Sequence, residues 1–450
     1  FSWLTGCGSN SVKYEQITSI EDLYAMESNK SYELTCDIDL NSGEWYPLAV
    51  KNFNGNGHTI KNGYIIKTTE NQSSGFFISV KTLENVVFDN IQVKVTFSDD
   101  SPGTYNGGII AGEAITVESV TITDSKGFFT ASVDNSSSAN SVNCGVIAGY
   151  VSGKINNSRV ENCELKCTRI YSKLNVGGIA GEVFSSQSEK VTDNVMENSK
   201  IYADADTMNC GGIIGRLNQG SGKTSGCVAK NNMIELKVYP EYTASRYDSC
   251  AGGVIGCVAE KNIVENSVGS NNEITLSRKS RNQTLFTDEG GYCIGGIIGK
   301  SAGNVSDCLS EFNNIRGTSE STSSKQFARI GGLCGSATAT ISKSVSQSNT
   351  VIEANTTESS TVSVAGFVAK TTATVTNCAV YNNTVTGKNR DVFTDKTKDS
   401  LFNCYVAGQN EAIPDANSLP VLSSEQWNDI KNVLSLGSKW YMENGVLNLR

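Results

Sequence analysis

The chain has little of the residue types that most catalytic and nucleic-acid-binding sites use. Among its 450 residues are one histidine and five prolines, and only 18% of the residues are charged. The formal net charge of −9 argues against a nucleic-acid partner. No apolar run reaches the roughly 20 residues that a membrane-spanning helix needs. His58 lies in a turn sequence and is interpreted as structural, so no Ser-His-Asp or Cys-His catalytic site is expected.

Cysteine is frequent, but its pattern does not indicate a metal site or a complete set of disulfides. The chain has 14 cysteines and no CxxC pair, so we expect no metal and no cofactor. Without Cys7 an odd number remains, 14 − 1 = 13, and most of these are predicted to be free thiols. Several stand at fixed places in a repeat and are expected to be small buried hydrophobes: Cys144, Cys210, Cys227, Cys308 and Cys378.

Glycine marks this repeat. Cores such as CGGIIG at 210, GGVIG at 252 and GGIIG at 295 recur along the chain. A second, apolar or small, position follows each core at a similar spacing, and the two markers agree on about nine copies. Taking one glycine of each core gives intervals of 33 to 43 residues between Gly75, Gly108, Gly145, Gly178, Gly212, Gly253, Gly296, Gly332 and Gly366.

Asparagine follows the second marker in two series. Stacked asparagines can pair their side-chain amides between copies, and asparagine tolerates the left-handed backbone of a tight turn. The first series, four residues after the marker, is Asn90, Asn162, Asn198, Asn231, Asn271 and Asn382. The second, five residues after it, is Asn232, Asn272, Asn313, Asn349 and Asn383. The spacing predicts asparagine ladders along a stack of coils.

One copy can bury almost nothing, whereas coils stacked in register bury a continuous column of Ile, Val, Leu and Cys. The sequence therefore predicts an all-β fold, a right-handed parallel β-helix of about nine coils. Each copy is expected to supply two or three short strands. The glycines are interpreted as corners that pack close to neighbouring coils, since no Lys follows them in a nucleotide-binding pattern.

The two ends of the chain differ from the repeat. Residues 1–7 end in Leu4-Thr5-Gly6-Cys7, which resembles a bacterial lipobox and makes Cys7 a candidate lipid-attachment residue; an accidental tetrapeptide is the alternative. Residues 8–62 are predicted to form an N-terminal cap, with a helix over 17–27. Residues 406–450 are predicted to form a C-terminal cap, with a helix from Ser423 and a hairpin at Asn444-Gly445.

The repeat, at residues 63–405, resembles the GLUG motif of bacterial surface proteins. The segment 17–62, with its DIDL strand and its FNGNGHTI sequence, is similar to the stretch that precedes such repeats. The resemblance implies a β-helix in a bacterial surface protein. Together with the lipobox, it implies a lipid-anchored protein on the extracellular face of the cell envelope that touches the membrane only through its lipid. Similar repeats occur in adhesins and in non-catalytic parts of surface proteases, so it implies no enzymatic activity.

Three consecutive copies are longer than their neighbours at the same corner. Insertions that stack on one face of a solenoid are often its binding face. Their aromatic and cationic residues predict a ridge that holds a glycan or a surface protein of a host or neighbouring cell. The candidate contact residues are Tyr239, Tyr242, Arg246, Tyr247, Arg278, Arg281, Phe286, Arg316, Lys325 and Arg329. Long polar loops that pack only on themselves are the alternative.

Two other functions remain open on the sequence alone. A polysaccharide lyase or hydrolase would need a column of carboxylates on adjacent coils, and none is evident from the sequence. A structural spacer without any ligand would need nothing beyond the repeat. The fold alone does not decide among these functions.

Overall fold

Parallel pairing between strands one coil apart dominates the structure. The computed structural model describes residues 12–98, 103–131, 141–184, 188–220, 222–240, 248–279, 290–320, 326–355, 361–395, 400–408 and 418–450. Within them, 46 strands join in one sheet and two more form an antiparallel hairpin. The prediction of an all-β parallel solenoid is confirmed.

The strands are numbered β1 to β48 in chain order. Those of the first third are Glu15–Ile17, Ser31–Leu34, Ile38–Glu44, Leu48–Asn54, Thr59–Thr69, Ser73–Ser74, Phe77–Phe97, Thr104–Gly108, Ala111–Thr123, Lys126–Ala131, Ser141–Gly145, Ala148–Asn156, Arg159–Glu161 and Glu164–Gly177, which are β1 to β14. The middle strands, β15 to β32, are Ala180–Val183, Glu189–Thr192, Val195–Glu197, Lys200–Gly211, Ile214–Leu217, Lys223–Ser225, Val228–Lys230, Met233–Val238, Ser249–Gly252, Ile255–Val258, Ile263–Glu265, Val268–Ser270, Glu273–Arg278, Tyr292–Gly295, Ile298–Ser301, Asn304–Ser306, Leu309–Glu311 and Asn314–Ser319. The last strands, β33 to β48, are Phe327–Gly331, Cys334–Ala337, Ile341–Ser342, Val345–Gln347, Thr350–Glu353, Thr361–Ala365, Val368–Thr371, Val375–Thr376, Ala379–Tyr381, Thr384–Thr386, Arg390–Asp391, Leu401–Phe402, Tyr405–Ala407, Val421–Leu422, Trp440–Glu443 and Val446–Leu449.

Each coil has five strand positions, which we name A to E. In one coil, β12 covers positions A and B, β13 is position C, and β14 covers positions D and E. The prediction of two or three strands per copy fits this coil, which has three, but it is wrong for later coils such as the one from β24 to β28, which has five. Short segments result because residues with left-handed backbone, such as Asn157 (φ 48°) and Asn162 (φ 54°), turn the chain between positions.

The stack extends beyond the glycine repeat. One column at position C passes through thirteen levels, because the N-terminal segment pairs in register with the repeat. Its members are Ile38, Ile60, Phe88, Ile122, Val160, Met196, Ala229, Gly269, Ser310, Ser346, Val380, Val406 and Val421. The predicted N-terminal cap, residues 8–62, is thus largely the first part of the solenoid, and its boundary at 62 falls inside β5.

The glycine cores form the corner between positions E and A. Gly211 pairs with Gly252, and the next residue, Gly212, lies against the following coil. A Cβ atom on Gly212 would lie 2.1 Å from the carbonyl oxygen of Gly253, far inside van der Waals contact. Only glycine permits this approach between coils, which explains why the core repeats.

Both predicted asparagine series form ladders at the corner between positions C and D. In the exposed ladder, Asn271 donates from Nδ2 to Asn231 Oδ1 at 2.7 Å, and both residues have left-handed backbone. In the buried ladder, Asn272 donates from Nδ2 to Asn313 Oδ1 at 3.1 Å, and Asn313 donates to Asn349 at 3.1 Å. The prediction of ladders is confirmed.

The described cysteines are all free, and most lie in the interior. Those predicted to act as small buried hydrophobes have no solvent-accessible surface: Cys144, Cys210, Cys227, Cys308 and Cys378. Burial raises the pKa of the Cys227 thiol to about 12. These inward thiols are therefore uncharged packing groups.

Helices occur only near the ends of the described residues. The first, α1 (Ile20–Tyr24), is capped by Ser19 and is shorter than the predicted 17–27. The others are α2 (Ser424–Asn428) and α3 (Ile430–Val433), and Ser423 and Gln426 form the predicted capping box. No helix in the described ranges is long and apolar enough to cross a membrane.

The predicted C-terminal hairpin is present as β47 and β48 around Asn444-Gly445. This end of the chain packs along the outside of position C. Apolar residues between Leu422 and Leu447, among them Trp427 and Trp440, form one cluster with residues from successive coils: Val268, Leu309, Val345 and Ala379. The C-terminal segment therefore covers the side of several coils and does more than close the last one.

Candidate binding groove on the outward face of position D

Strand alternation at position D sends one set of side chains into the core and the other outward. In β10, Gly127 and Phe129 face inward, while Lys126, Phe128 and Thr130 face outward. Because the coils pair in register, each outward residue lies beside its counterparts one coil away. The outward face of position D is thus a set of continuous columns.

The central column combines aromatic, cationic and apolar side chains. Phe128 and Tyr202 are half-buried, and Ile66 is 62% exposed. In order along the stack the column is Ile66, Lys94, Phe128, Lys166, Tyr202, Glu235, Thr275, Arg316 and Ile352. Each of these residues directly follows an inward-facing residue on its strand.

Two cations flank the Phe128 ring. Lys94 Nζ is 6.0 Å from the ring centroid and Lys166 Nζ is 5.7 Å from it, one from the coil on each side. At these distances the ammonium groups interact weakly with the ring and stay in contact with water. The ring and its two ammonium groups form a site that is complementary to a ligand with a flat apolar face and a negatively charged group at its edge.

A column of threonines lies next to the central column. Thr68, Thr96, Thr130 and Thr168 are in register, and the Thr96 and Thr130 hydroxyl oxygens are 2.9 Å apart, within hydrogen-bond distance. Hydroxyl groups both donate and accept, so this column can bond to a polar polymer that lies beside the aromatic residues.

A bulge in β14 forms one side of the groove. The pairing of β14 with β18 shifts between Cys167 and Ile170. Between them Arg169 has left-handed backbone (φ 59°), which is rare for a residue other than glycine or asparagine. Its backbone N–H donates to Asp204 Oδ1 at 2.7 Å. This contact holds the bulge, and the exposed Arg169 side chain lies at the groove.

Together these residues enclose a groove of about 910 Å³. An adjoining depression of about 500 Å³ shares Lys94, Phe128, Glu164 and Lys166 with it and continues to Ile66. Its four cations and three carboxylates give the groove one net positive charge, 4 − 3 = 1, on a chain whose net charge is −9. They are Lys94, Lys166, Arg169 and Lys237, and Glu164, Asp204 and Glu235.

The predicted loop ridge lies mostly outside the described residues. This applies to Tyr242, Arg246, Tyr247, Arg281, Phe286 and Lys325, and also to Cys7. The strands on either side of the three insertions show that each insertion connects position D to position E: β22 to β23, β27 to β28, and β32 to β33. All three insertions therefore leave the solenoid at the same corner.

The described members of the ridge do not form one surface. Arg278 is 2% exposed, because the inward parity of β27 buries it, and its Nη1 donates to the Gly290 carbonyl at 2.6 Å. As an exposed contact residue it was predicted wrongly. Tyr239 is half-buried at the end of position D, Arg316 belongs to the central column, and Arg329 faces Ser336 at 3.3 Å.

The groove itself was missed by the sequence prediction. A signal was present, because the apolar residue that follows each asparagine ladder faces inward, so the next residue must face outward. Reading that next position from copy to copy gives Lys94, Lys166, Tyr202 and Glu235. Phe128 is harder to find, because its inward neighbour is Gly127.

Carboxylates on adjacent coils occur in two places among the described strands. Glu84 lies opposite Glu118, and Glu161 lies opposite Glu197. Glu197 forms ion pairs with Arg159 and with Lys230, whose Nζ is 2.9 Å away, so the second pair is neutralised. The enzyme hypothesis therefore depends on Glu84 and Glu118.

His58 contacts a carboxylate of the N-terminal coils. Its Nδ1 is 3.1 Å from Asp37 Oδ1, which also accepts a hydrogen bond from the Thr59 backbone at 3.0 Å. These contacts, the Thr59 bond first, lower the pKa of Asp37. They join neighbouring coils at a corner. No group of three or more potential metal ligands occurs among the residues that the structure describes.

Comparison of the chain with protein-family models, with curated proteins and with solved structures finds no match. The resemblance to GLUG-motif surface proteins therefore stays a prediction from the sequence. The geometry of the groove and the chemistry of its residues are the basis on which a function can be inferred.

Proposed function

We propose that this chain is a non-catalytic binding module that holds an extended anionic glycan along the outward face of position D. The observation that carries the proposal is the Lys94–Phe128–Lys166 arrangement inside a groove that runs across several coils. A sugar ring has flat C–H faces that can lie on Phe128 or Tyr202, and a carboxylate or sulfate on that sugar would meet Lys94 or Lys166.

The dimensions favour a polymer over a single sugar. From Ile66 to Glu235 the central column makes five steps between neighbouring coils. At about 4.8 Å a step, this is about 24 Å. The threonine column runs beside it and offers hydroxyl groups at the same repeat. A chain with hydroxyl groups along its length can therefore bond at several levels at once.

The proposal includes a location outside the cell. A polymer or a protein on another cell is reached from the extracellular face of the envelope, and lipid attachment at Cys7 would hold the solenoid there. This part depends on Leu4-Thr5-Gly6-Cys7 and on the GLUG resemblance. Incorporation of a labelled fatty acid into the protein expressed in bacterial cells, with a C7A variant as control, tests it separately.

Binding is tested by titration calorimetry of the chain with polygalacturonate. Neutral dextran and polyglutamate serve as controls for sugar without charge and charge without sugar. We expect binding to polygalacturonate alone, and F128A should weaken it about tenfold or more. The matched control is F402A, since Phe402 is an aromatic residue 55% exposed on β44, in the last described coils. Equal loss in both variants would contradict a groove-specific site.

The loop ridge is tested in the same titration. A variant with Tyr242, Arg246, Arg281 and Arg329 changed to alanine removes ridge groups and leaves the groove column intact. If this variant loses binding while F128A retains it, the ligand lies on the ridge. If no variant and no wild-type protein binds, the spacer or a protein partner becomes the better explanation.

An enzymatic role is the second candidate, because Glu84 and Glu118 lie side by side in register on adjacent coils. The titration mixtures are assayed for new reducing ends and for unsaturated products. Release that disappears in both E84Q and E118Q, but persists in E161Q, would replace the binding proposal with a polysaccharide-processing activity.

A further inference from the structure

Two rows of side chains, from positions E and A, meet along the solenoid at the glycine corner, and we call the line between them the cleft. The glycine corner is so sharp that outward side chains of the two positions face each other seven residues apart. Asn106 Nδ2 donates to Glu113 at 2.9 Å, Asn175 Nδ2 donates to Glu182 at 3.3 Å, and Arg329 Nη1 donates to Ser336 at 3.3 Å. These contacts, at three levels of the stack, define the two walls.

The position E wall begins as a third asparagine ladder. Asn143, Asn175 and Asn209 each donate from Nδ2 to the preceding asparagine of the wall, at 2.8 to 2.9 Å. At the next two levels cysteine replaces asparagine. In register, the wall is Asn106, Asn143, Asn175, Asn209, Cys250, Cys293, Arg329 and Ser363.

The position A wall changes from acidic to basic along the stack. It consists of Glu113, Tyr150, Glu182, Arg216, Cys257, Lys300, Ser336 and Lys370. Cys257 therefore lies between two cations, Arg216 on one side and Lys300 on the other. Across the cleft from it, at the same seven-residue spacing, is Cys250.

The thiols have one another and charged groups as neighbours. Cys250 pairs in register with Cys293 of the next coil, and it lies across the glycine corner from Cys257. Lys300 Nζ pairs with Asp248 at 2.5 Å. Arg216 Nε is buried and has no hydrogen-bond partner among the described residues. Cys257 is half-buried and keeps part of its surface in solvent, whereas Cys250 is 1% exposed.

These contacts favour a charged sulfur on Cys257. The neighbouring Cys250 thiol is the largest cause that lowers the pKa of Cys257 to about 7, and the charges of Arg216, Lys300 and Lys173 act in the same direction against burial. Cys210 directly follows the wall residue Asn209, so its side chain points to the other side of the strand, into the core. Burial raises the pKa of its thiol. The remaining ionisable neighbours of this part of the cleft are Glu182, Asp248 and Cys293.

We propose that Cys257 is a nucleophilic thiolate and Cys250 its resolving thiol, together forming a site that reacts with small-molecule disulfides. The Cys257 thiolate attacks one sulfur of the external disulfide, a new S–S bond forms, and one external thiolate leaves. Cys250 then gives up its proton and attacks the Cys257 sulfur, releasing the second external group. The two protein thiols are oxidised to one disulfide, and the external disulfide is reduced to one thiolate and one thiol.

Alkylation tests the nucleophile. The full chain, in a background lacking Cys7 and Cys36, is pulsed with iodoacetamide between pH 5 and pH 9, and labelled peptides are measured by mass spectrometry. We expect the Cys257 peptide to label with a midpoint near pH 7, against about 8.5 for N-acetylcysteine. The R216Q and K300Q variants should each move that midpoint upward by about one pH unit, and R216K should restore it.

Reaction with oxidised glutathione tests the pair. We expect a Cys250–Cys257 cross-linked peptide in the wild type and a trapped glutathione adduct on Cys257 in C250S. The C210S variant should behave as the wild type. Circular dichroism spectra that match the wild type would show that each variant is folded, so that a change in reactivity can be attributed to the substitution.

Three results would overturn the proposal. The first is a Cys257 midpoint equal to that of N-acetylcysteine. The second is a C250S protein that forms no adduct with oxidised glutathione. The third is a cross-link between Cys250 and Cys293 in place of the expected pair, because it would make Cys257 dispensable.

Discussion

Positions C and D are neighbouring strands of the same coils, yet their outward faces differ. At position C, Leu309 and Val345 are at most 1% exposed because the C-terminal segment packs on them. At position D, Ile66 is 62% exposed and Phe128 is half-buried, and within the described ranges no segment packs over them. The inward faces of both positions are fully buried and contribute to one core.

The difference shows how a solenoid assigns its surfaces. A column that is apolar at several consecutive levels, such as Val268, Leu309, Val345 and Ala379, needs a cover, and the chain supplies one. A column that mixes cations, aromatic rings and carboxylates does not need one, because water satisfies its polar groups. That column is left open to a ligand. Substitutions on the two faces should therefore differ in the size of their effect on stability.

Removing the anchor of the cover should have the largest effect. Trp440 is fully buried against position C, and its Nε1 donates to Asp307 at 3.2 Å. W440A leaves a cavity and should lower the free energy of unfolding by about 3–5 kcal/mol. Urea unfolding followed by circular dichroism measures this, and a loss below about 1 kcal/mol would show that the cover is not part of the cooperative fold.

The same substitution on the two faces compares them directly. L309K places an ammonium group under the cover and should cost about 3 kcal/mol or more. T275K places it on the open face, beside Arg316 in the next coil, and should change stability by no more than about 0.5 kcal/mol. Both are measured by urea unfolding. Equal effects would mean that position D is covered as well.

Substitutions at the corner between positions C and D are expected to have the next largest effect on the free energy of unfolding. Asn313 donates to the Gly269 carbonyl at 2.8 Å and accepts from the Asn272 backbone at 2.9 Å, so N313A leaves buried groups unpaired. We expect a loss of about 2–3 kcal/mol. The exposed neighbour in the previous coil, Asn271, has left-handed backbone, and N271A should cost about 1 kcal/mol. Thermal melts rank the two variants, and the reverse order would contradict the buried ladder as the stronger one.

The open face should contribute least to stability. F128A removes a half-buried ring whose loss exposes no large core surface, and we expect less than about 1 kcal/mol of destabilisation. The same variant carries the largest expected loss of glycan binding. A destabilisation as large as that of W440A would mean that Phe128 is a packing residue, and the binding result could then not be attributed to the groove.

Much of the fold was predictable from the sequence. Each copy of a stacked repeat must meet the same structural requirements, so the same residue types recur at equivalent positions. The glycine cores occur where a Cβ atom would collide with the next coil, and the asparagines occur where the chain turns left-handed and the amides stack. The burial of the repeat cysteines followed from the same periodicity. What failed was the number of strands per coil, since a single left-handed residue is enough to divide a strand and leaves only a weak signal.

The sites were less predictable than the fold. The prediction was based on loop length and therefore included Arg278. That residue is buried, because it occupies an inward-facing position of β27. It did not indicate the Phe128 groove, because that site depends on which residues of different copies share a column. Cys250 and Cys257 illustrate the same limit: their spacing is visible in the sequence, but their cations come from the coils on either side.

The sequence by itself determined the solenoid, the glycine corner and the asparagine ladders, because each depends on contacts between equivalent residues of neighbouring copies. Only the tertiary structure decided which outward column is covered, which is open, and where two walls meet in a cleft. Those outcomes depend on register and on segments distant in sequence, such as the C-terminal residues that pack across several coils.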